Sequence, residues 1–211
     1  MEKYITSSCS ISKNAIHKDG IKVVENTPDS IMTDVSEFLV SIYLQYQFHY
    51  PKYYKMDNLC KLGWLAAELL LKDNYFNENY QPEEIGVVLA NANSSLDDDI
   101  KYFETTKEIS SPSLFVYTLP NIVIGEICIR NNFKGEHAFF IQDRFDAGFI
   151  EKRVSYLLDK NILQACICGW VEVLEKEYKA VLFLVEKKRE NPISMGFSSE
   201  NMDNIFNLMI R

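Results

Sequence analysis

Residues 111–148 read SPSLFVYTLPNIVIGEICIRNNFKGEHAFFIQDRFDAG. Pro112 stops whatever precedes it, and an apolar run over 114–129 follows, holding Pro120, Asn121 and Gly125. The chain then turns at Lys134 and Gly135 into a second apolar run, 138–141. An extended apolar run after a glycine turn, followed at once by an amphipathic segment (147–158), predicts a buried strand feeding a helix. In α/β folds chemistry gathers at that junction. Here it carries Gln142, Asp143, Arg144, Phe145 and Asp146.

Working outward, 4–11 (YITSSCSI) is short and β-prone and predicts a first strand. The next stretch, 14–32, reads as irregular, with turns at Asp19-Gly20 and Thr27-Pro28-Asp29. Residues 33–50 are apolar at near-helical spacing, and Tyr43, Tyr46, Phe48 and Tyr50 read as packing inside the fold more readily than as a partner surface. Residues 55–71 (KMDNLCKLGWLAAELLL) are the clearest helix: Asp57 or Asn58 can cap it, Leu59, Leu62, Leu65, Ala66, Leu69 and Leu70 form its stripe, and Lys72-Asp73-Asn74 ends it. The run 84–90 (EIGVVLA) has the signature of a central strand covered on both faces. A small polar turn leads on to Asp97, Asp98 and Asp99, whose carboxylates suit the positive N-terminal end of a helix reaching about Lys107. Two more buried strands follow at 164–173 and 180–186, then a charged turn and a short helix around 205–209.

With 211 residues, 47% of them hydrophobic, the chain has the material of a single domain, 1–211. At that length roughly 70% of the extended chain's surface can be buried. The net charge of −8 argues against nucleic acid, whose binding rests on neutralising phosphates. No run of about 18 apolar residues and no basic-then-apolar leader is present, so no membrane partner is expected and the reading is a soluble cytoplasmic protein. Five cysteines, an odd number scattered in apolar surroundings, predict reduced and mostly buried thiols.

Pro120, Asn121, Gly125, Ile129, Arg130, Lys134 and Gly135 resemble, in order and spacing, the centre of a β-ketoacyl synthase, the condensing enzyme of fatty-acid and polyketide assembly. Lys55-Met56-Asp57 is similar to the Arg/Lys-Met-Asp-Arg that opens a core helix of that family, and Gly169 and Glu172 fit its Ala-Gly-Gly-Ala-Glu run. The resemblance implies an α/β, thiolase-like fold: a single N-terminal-type half with a mixed, mostly parallel central sheet covered by helices. It covers nearly all of this chain but only the first half of that fold, without the second half that brings the family's two catalytic histidines. His17, His49 and His137 all fall in first-half segments.

The family's nucleophilic cysteine does not match. Laying its turn glycine on Gly135 puts Arg144 at that position, and a slip of one residue puts Phe145 there. Neither can attack a thioester, and covalent catalysis has no substitute for its nucleophile. Catalytic residues are therefore none, and the reading is a non-catalytic partner or chain-length-factor-like subunit in fatty-acid or polyketide biosynthesis of the aryl polyene or pigment type. Two rivals stand beside it: an active acyltransferase or synthase completed by a partner chain, and a stand-alone acyl-chain or small-molecule binding module with an apolar tunnel at Arg144, Phe139 and Phe145. The resemblance also implies a dimer, with itself or with a ketosynthase-like chain, across the strand from Ala138 to Gln142. An acidic acyl carrier protein would need a basic patch, for which Arg130, Lys134, Arg144, Lys152 and Arg153 are the candidates.

Arg144 needs an account of its own, because an unpaired buried arginine costs several kcal/mol. It is expected to pair with Asp143, Asp146 or Glu136, to bind an anion, or to meet a partner's carboxylate. Cys128, inside an apolar run, reads as core. Cys166 and Cys168 lack the spacing and the second ligand pair of a zinc site, and Asp97 to Asp99 lack that of a calcium loop, so no metal or other cofactor is expected. Ser94 and Ser113 have no nucleophile elbow around them, and the short basic-aromatic run at Tyr50 sits in an acidic protein.

Overall fold

The apolar runs become one sheet with helices on both faces in a computed structural model, which describes residues 2–13, 15–25, 34–72, 79–187 and 194–208. The strands are β1 (Tyr4–Ser12), β2 (Ala15–Lys18), β3 (Ile21–Glu25), β4 (Ile85–Asn91), β5 (His137–Ile141), β6 (Ala165–Leu174), β7 (Glu177–Glu186) and β8 (Met195–Gly196). The helices are α1 (Val35–Gln45), α2 (Asn58–Leu71), α3 (Leu96–Thr105), α4 (Pro112–Tyr117), α5 (Ile122–Asn131), α6 (Ala147–Asp159) and α7 (Ser199–Leu208). The sheet runs β3-β2-β1-β7-β6-β4-β5, with β8 beside β1. It is mixed: β1, β3, β4, β5 and β6 point one way, β2, β7 and β8 the other. Its two parallel ladders are the ones that flank β4.

Alternation along the central strands sends side chains to two cores. Val87 and Leu89 of β4 and Ile167 and Val171 of β6 join α1, α2 and α5 on one face. Val88, Ala90, Cys166, Cys168 and Trp170 join α6 and α7 on the other. The helix α2 begins where Asp57 Oδ1 accepts from Cys60 N at 2.9 Å and Oδ2 from Leu59 N at 3.3 Å. Its expected leucine stripe is buried, and so are Trp64 and Ala67 on its other sides, because α1 and α5 enclose it against the sheet. Tyr43, Tyr50 and Phe48 all pack on Trp64, Tyr50 stacked at 5.4 Å and 6°. Tyr46 stacks in turn on Phe48 at 5.9 Å. The aromatic cluster is thus part of the fold.

Several expectations need correction. The stretch read as irregular forms the hairpin β2–β3 across the Asp19-Gly20 turn, while Thr27-Pro28-Asp29 lies outside the described residues. The helix expected from Lys55 starts at Asn58, because Pro51–Lys55 forms a separate 3-10 turn. The apolar run 114–129 is two helices parted at Pro120, whose ring cannot continue a helix. The largest correction concerns β5: expected to be buried, it is exposed at His137 and Ile141 and half-buried between them. It lies at the margin of the sheet, so one side meets β4 and, among the described residues, no strand pairs with the other. Gly135 fixes this seam, since a Cβ there would lie 2.5 Å from the Ile85 carbonyl.

Candidate functional site

The junction between β5 and α6 adjoins the tip of β4. That tip is tied down: Asn91 closes its own turn with Ser94, its amide oxygen accepting from Ser94 N at 2.9 Å and its amide nitrogen donating to the Ser94 carbonyl at 2.7 Å. From β6, the Glu172 carboxylate accepts from Ala92 N at 2.6 Å and Asn93 N at 3.3 Å. The backbone N–H of Gln142 then bonds the Asn91 carbonyl at 2.8 Å, the last tie between β4 and the junction. Asp146 caps α6, accepting from Phe149 N at 2.8 Å.

Between those ties the two candidate side chains go opposite ways. Phe145 turns inward, stacks on Phe206 of α7 at 4.3 Å and 12°, and meets Trp170 and Phe183 at 6.3 Å. Arg144 turns outward, is exposed, and forms no hydrogen bond or ion pair among the described residues. The expected carboxylate partner for its guanidinium is not there: Arg144 needs none, because it is never buried. The depressions beside it are lined by polar groups, Gln142, Asp143 and Asp146 on one side and Asp203 and Asn207 on the other.

The third candidate, Phe139, does not join them. It packs with the α2 and α5 core, whereas Phe140 and Phe145 pack with the α6 and α7 core. One step along a strand reverses the face, so Phe139 and Phe145 lie across the sheet from each other. Arg144, Phe139 and Phe145 thus do not come together around one space, as the expected tunnel requires.

All five cysteines are free, with Cys128 half-buried and the others buried. Burial pushes Cys128 up to about 11 and Cys9 and Cys166 up to about 12. Cys60 and Cys168 are raised well above the ordinary thiol range by the same cause. Thiols so placed stay protonated at neutral pH. His137, the nearest histidine in sequence, stands at the other end of β5, roughly 16 Å from the junction at about 3.3 Å per residue. Among the described residues no group of three metal-binding side chains assembles; Asp97 is engaged by Glu175 N at 2.9 Å and Lys101 at 2.6 Å.

The basic candidates divide. Arg130 pairs with Glu68 at 3.2 Å and lies over the rings of Tyr50 and Trp64. Arg153 reaches Glu136 at 3.7 Å and Lys134 reaches Glu83 at 4.0 Å. Arg144 and Lys152 carry no ion pair among the described residues. The sequence did not single out Phe206, whose stacking on Phe145 closes the junction; its place three residues past Asp203 on an amphipathic segment was the available signal.

No family model and no curated protein matches the chain. Solved structures do. The ishigamide ketosynthase/chain length factor superposes with a TM-score of 0.65 at 17% identity over 91% of this chain and 64% of that one. The chain has the thiolase-like fold of ketosynthases and chain length factors. A type II PKS acyl-carrier protein in complex with its ketosynthase bound to the hexaketide gives 0.57 at 15% identity, covering 89% of this chain and 64% of that chain. The ketosynthase in complex with its chain length factor from Xenorhabdus doucetiae gives 0.57 at 11%, covering 90% and 81%. The chain thus spans under two thirds of the length of the first two ketosynthase-fold structures it matches. No helix among the described residues is long and apolar enough to cross a membrane.

Proposed function

We propose that the 211 residues act as one ketosynthase-like unit that holds a partner and does not itself condense acyl groups. The partner is a ketosynthase-like chain or a second copy, joined along β5, in fatty-acid or polyketide-type biosynthesis of the aryl polyene or pigment class. The observation that carries this reading is the open margin at β5. Its sequence, HAFFI, is as apolar as a core strand, yet its outer side is unpaired among the described residues. An open strand edge is a ready template for another chain. Gln142 N and the Glu136 carbonyl face β4, so by alternation the backbone groups of His137, Phe139 and Ile141 face outward. An acyl carrier protein would dock by charge, and Arg144 and Lys152 are cations near the junction without an ion pair among the described residues.

Supporting the non-catalytic part of the reading are the five thiols, each pushed up by burial, and the ring of Phe145 where a substrate would enter. Incubating the purified chain with an acyl thioester tests it by mass. The expected result is unmodified protein. A stable acyl adduct on any cysteine would favour the rival in which a partner chain completes an active synthase. Tagged chain captured from its own cells, weighed as an intact complex, then identifies the partner.

A further inference from the structure

The outer edge of β1 is served by two strands that do not meet. β8 pairs with Tyr4 and Ile5, β2 pairs with residues 9–12, and neither reaches 6–8. The turn closes Ser8 instead: its N–H donates to Asp19 Oδ1 at 2.7 Å and its carbonyl accepts from Asp19 N at 2.9 Å. A β-bulge between Ile5 and Ser7 reverses the facing of the strand, so Ile5 joins the α6 and α7 core while Cys9 and Ile11 join the other. At this gap lies a cavity of about 380 Å³, walled by Ile5, Met195, Ile205 and Leu208, with Ser8, His17 and Asp19 in its lining. It is separate from the junction, none of whose residues lines it.

Its polar lining is only half used. Asp19 Oδ1 takes Ser7 Oγ at 2.9 Å as well as Ser8 N, while Oδ2 accepts nothing among the described residues. The Ser8 hydroxyl makes no hydrogen bond there either, and Ser10, next along the same face, has a buried hydroxyl without a partner. Lys18 is engaged on the Ser7 side, donating to Ser7 Oγ at 2.9 Å and to the Leu70 carbonyl. Of the free groups in the lining, the Asp19 carboxylate oxygen can only accept while the Ser8 hydroxyl accepts or donates, in a chain of net charge −8.

We propose that this cavity binds a small linear amphiphile whose head donates hydrogen bonds, an alkyl amine or alcohol, and rejects an anionic head. The apolar walls take the chain; Asp19 Oδ2 and Ser8 Oγ take the head. At ~30 Å³ for each water-sized group the volume suits about a dozen non-hydrogen atoms. Such a mix of apolar wall and few polar anchors is the usual make-up of a small-molecule site. This inference does not depend on the partner role of β5.

Titration calorimetry of the full chain with 1-aminooctane, 1-octanol and octanoate tests it. Both donors should bind saturably at one per chain, with octanoate at least about tenfold weaker. Asp19→Asn keeps the Oδ1 acceptor and removes the charge, so it should weaken the amine about tenfold and leave the alcohol within about threefold. Met195→Trp fills the cavity from a side chain that is 38% exposed, which the fold tolerates, and should abolish both. No saturable heat from either donor, equal affinity for octanoate, or wild-type binding by Met195→Trp would overturn the proposal.

Discussion

β4 and β5 lie side by side, parallel and in register from Val87 opposite His137 to Asn91 opposite Ile141, yet they live in different environments. Every residue of β4 is buried, and its tip is held by Glu172 and by its own asparagine. β5 is no less apolar, but it keeps its ends exposed and leads, past the one tie from Gln142 N to the Asn91 carbonyl, to Arg144, which makes no hydrogen bond or ion pair among the described residues. Composition alone does not distinguish a strand that the fold encloses from one that it leaves at the margin of the sheet. The neighbour on the far side does. The same contrast separates the two candidate residues at the junction: Phe145 belongs to the closed part and Arg144 to the open one.

The comparison breaks most sharply at Gly135, which lets the chain enter β5 against the backbone of β4. Gly135→Ala should cost about 3–5 kcal/mol, read as a fall in the denaturant midpoint, because a Cβ would meet backbone that cannot retreat. Phe145→Ala empties the stack on Phe206 and should cost about 2–4 kcal/mol. A loss below ~1 kcal/mol would mean that the ring does not close the junction.

The third prediction concerns α3, which leaves the tip of β4. Burial, and next the Asp57 carboxylate, push the Asp98 carboxyl up to about 7, with Lys101 opposing and Asp99 and Asp97 adding to the rise. The folded protein then binds a proton that the unfolded chain releases near 4, so this group's contribution declines as pH rises from about 4 through about 7. Asp98→Asn should therefore raise Tm at pH 8, by about 2–4 °C for each kcal/mol recovered, and should flatten that slope. An unchanged pH profile would show that Asp98 is ionised throughout. Least of all, Arg144→Ala should leave stability within about 0.5 kcal/mol, since the side chain is exposed and makes no hydrogen bond or ion pair among the described residues.

Much of this was legible in the sequence because it is local. The capped helix α2, the continuous runs of β4, β6 and β7, and the strand-to-helix order around Gly135 follow from periodicity and turn residues that sit together in the chain. The hairpin β2–β3 was not legible beyond its Asp19-Gly20 turn, since AIHK and IKVVE are short and mixed and gain strand structure by pairing in line with β1. Burial of β5 was misjudged for the complementary reason: an apolar pentapeptide carries no record of how many strands flank it. Aligning the turn glycine placed Arg144 and Phe145 at the junction, but only the packing of α7, some sixty residues later, decides which of them points inward.

The most direct test of a partner held at β5 is the mass of the assembly formed by the wild-type chain and by Ile141→Pro, isolated from the chain's own cells and examined in solution. Ile141 presents its N–H outward, so proline removes an edge donor without touching the ladder to β4. The account expects the wild type as a complex, with itself or with a ketosynthase-like chain, and the variant as a folded monomer. A wild-type monomer with no companion, or a variant that assembles as the wild type does, would contradict it.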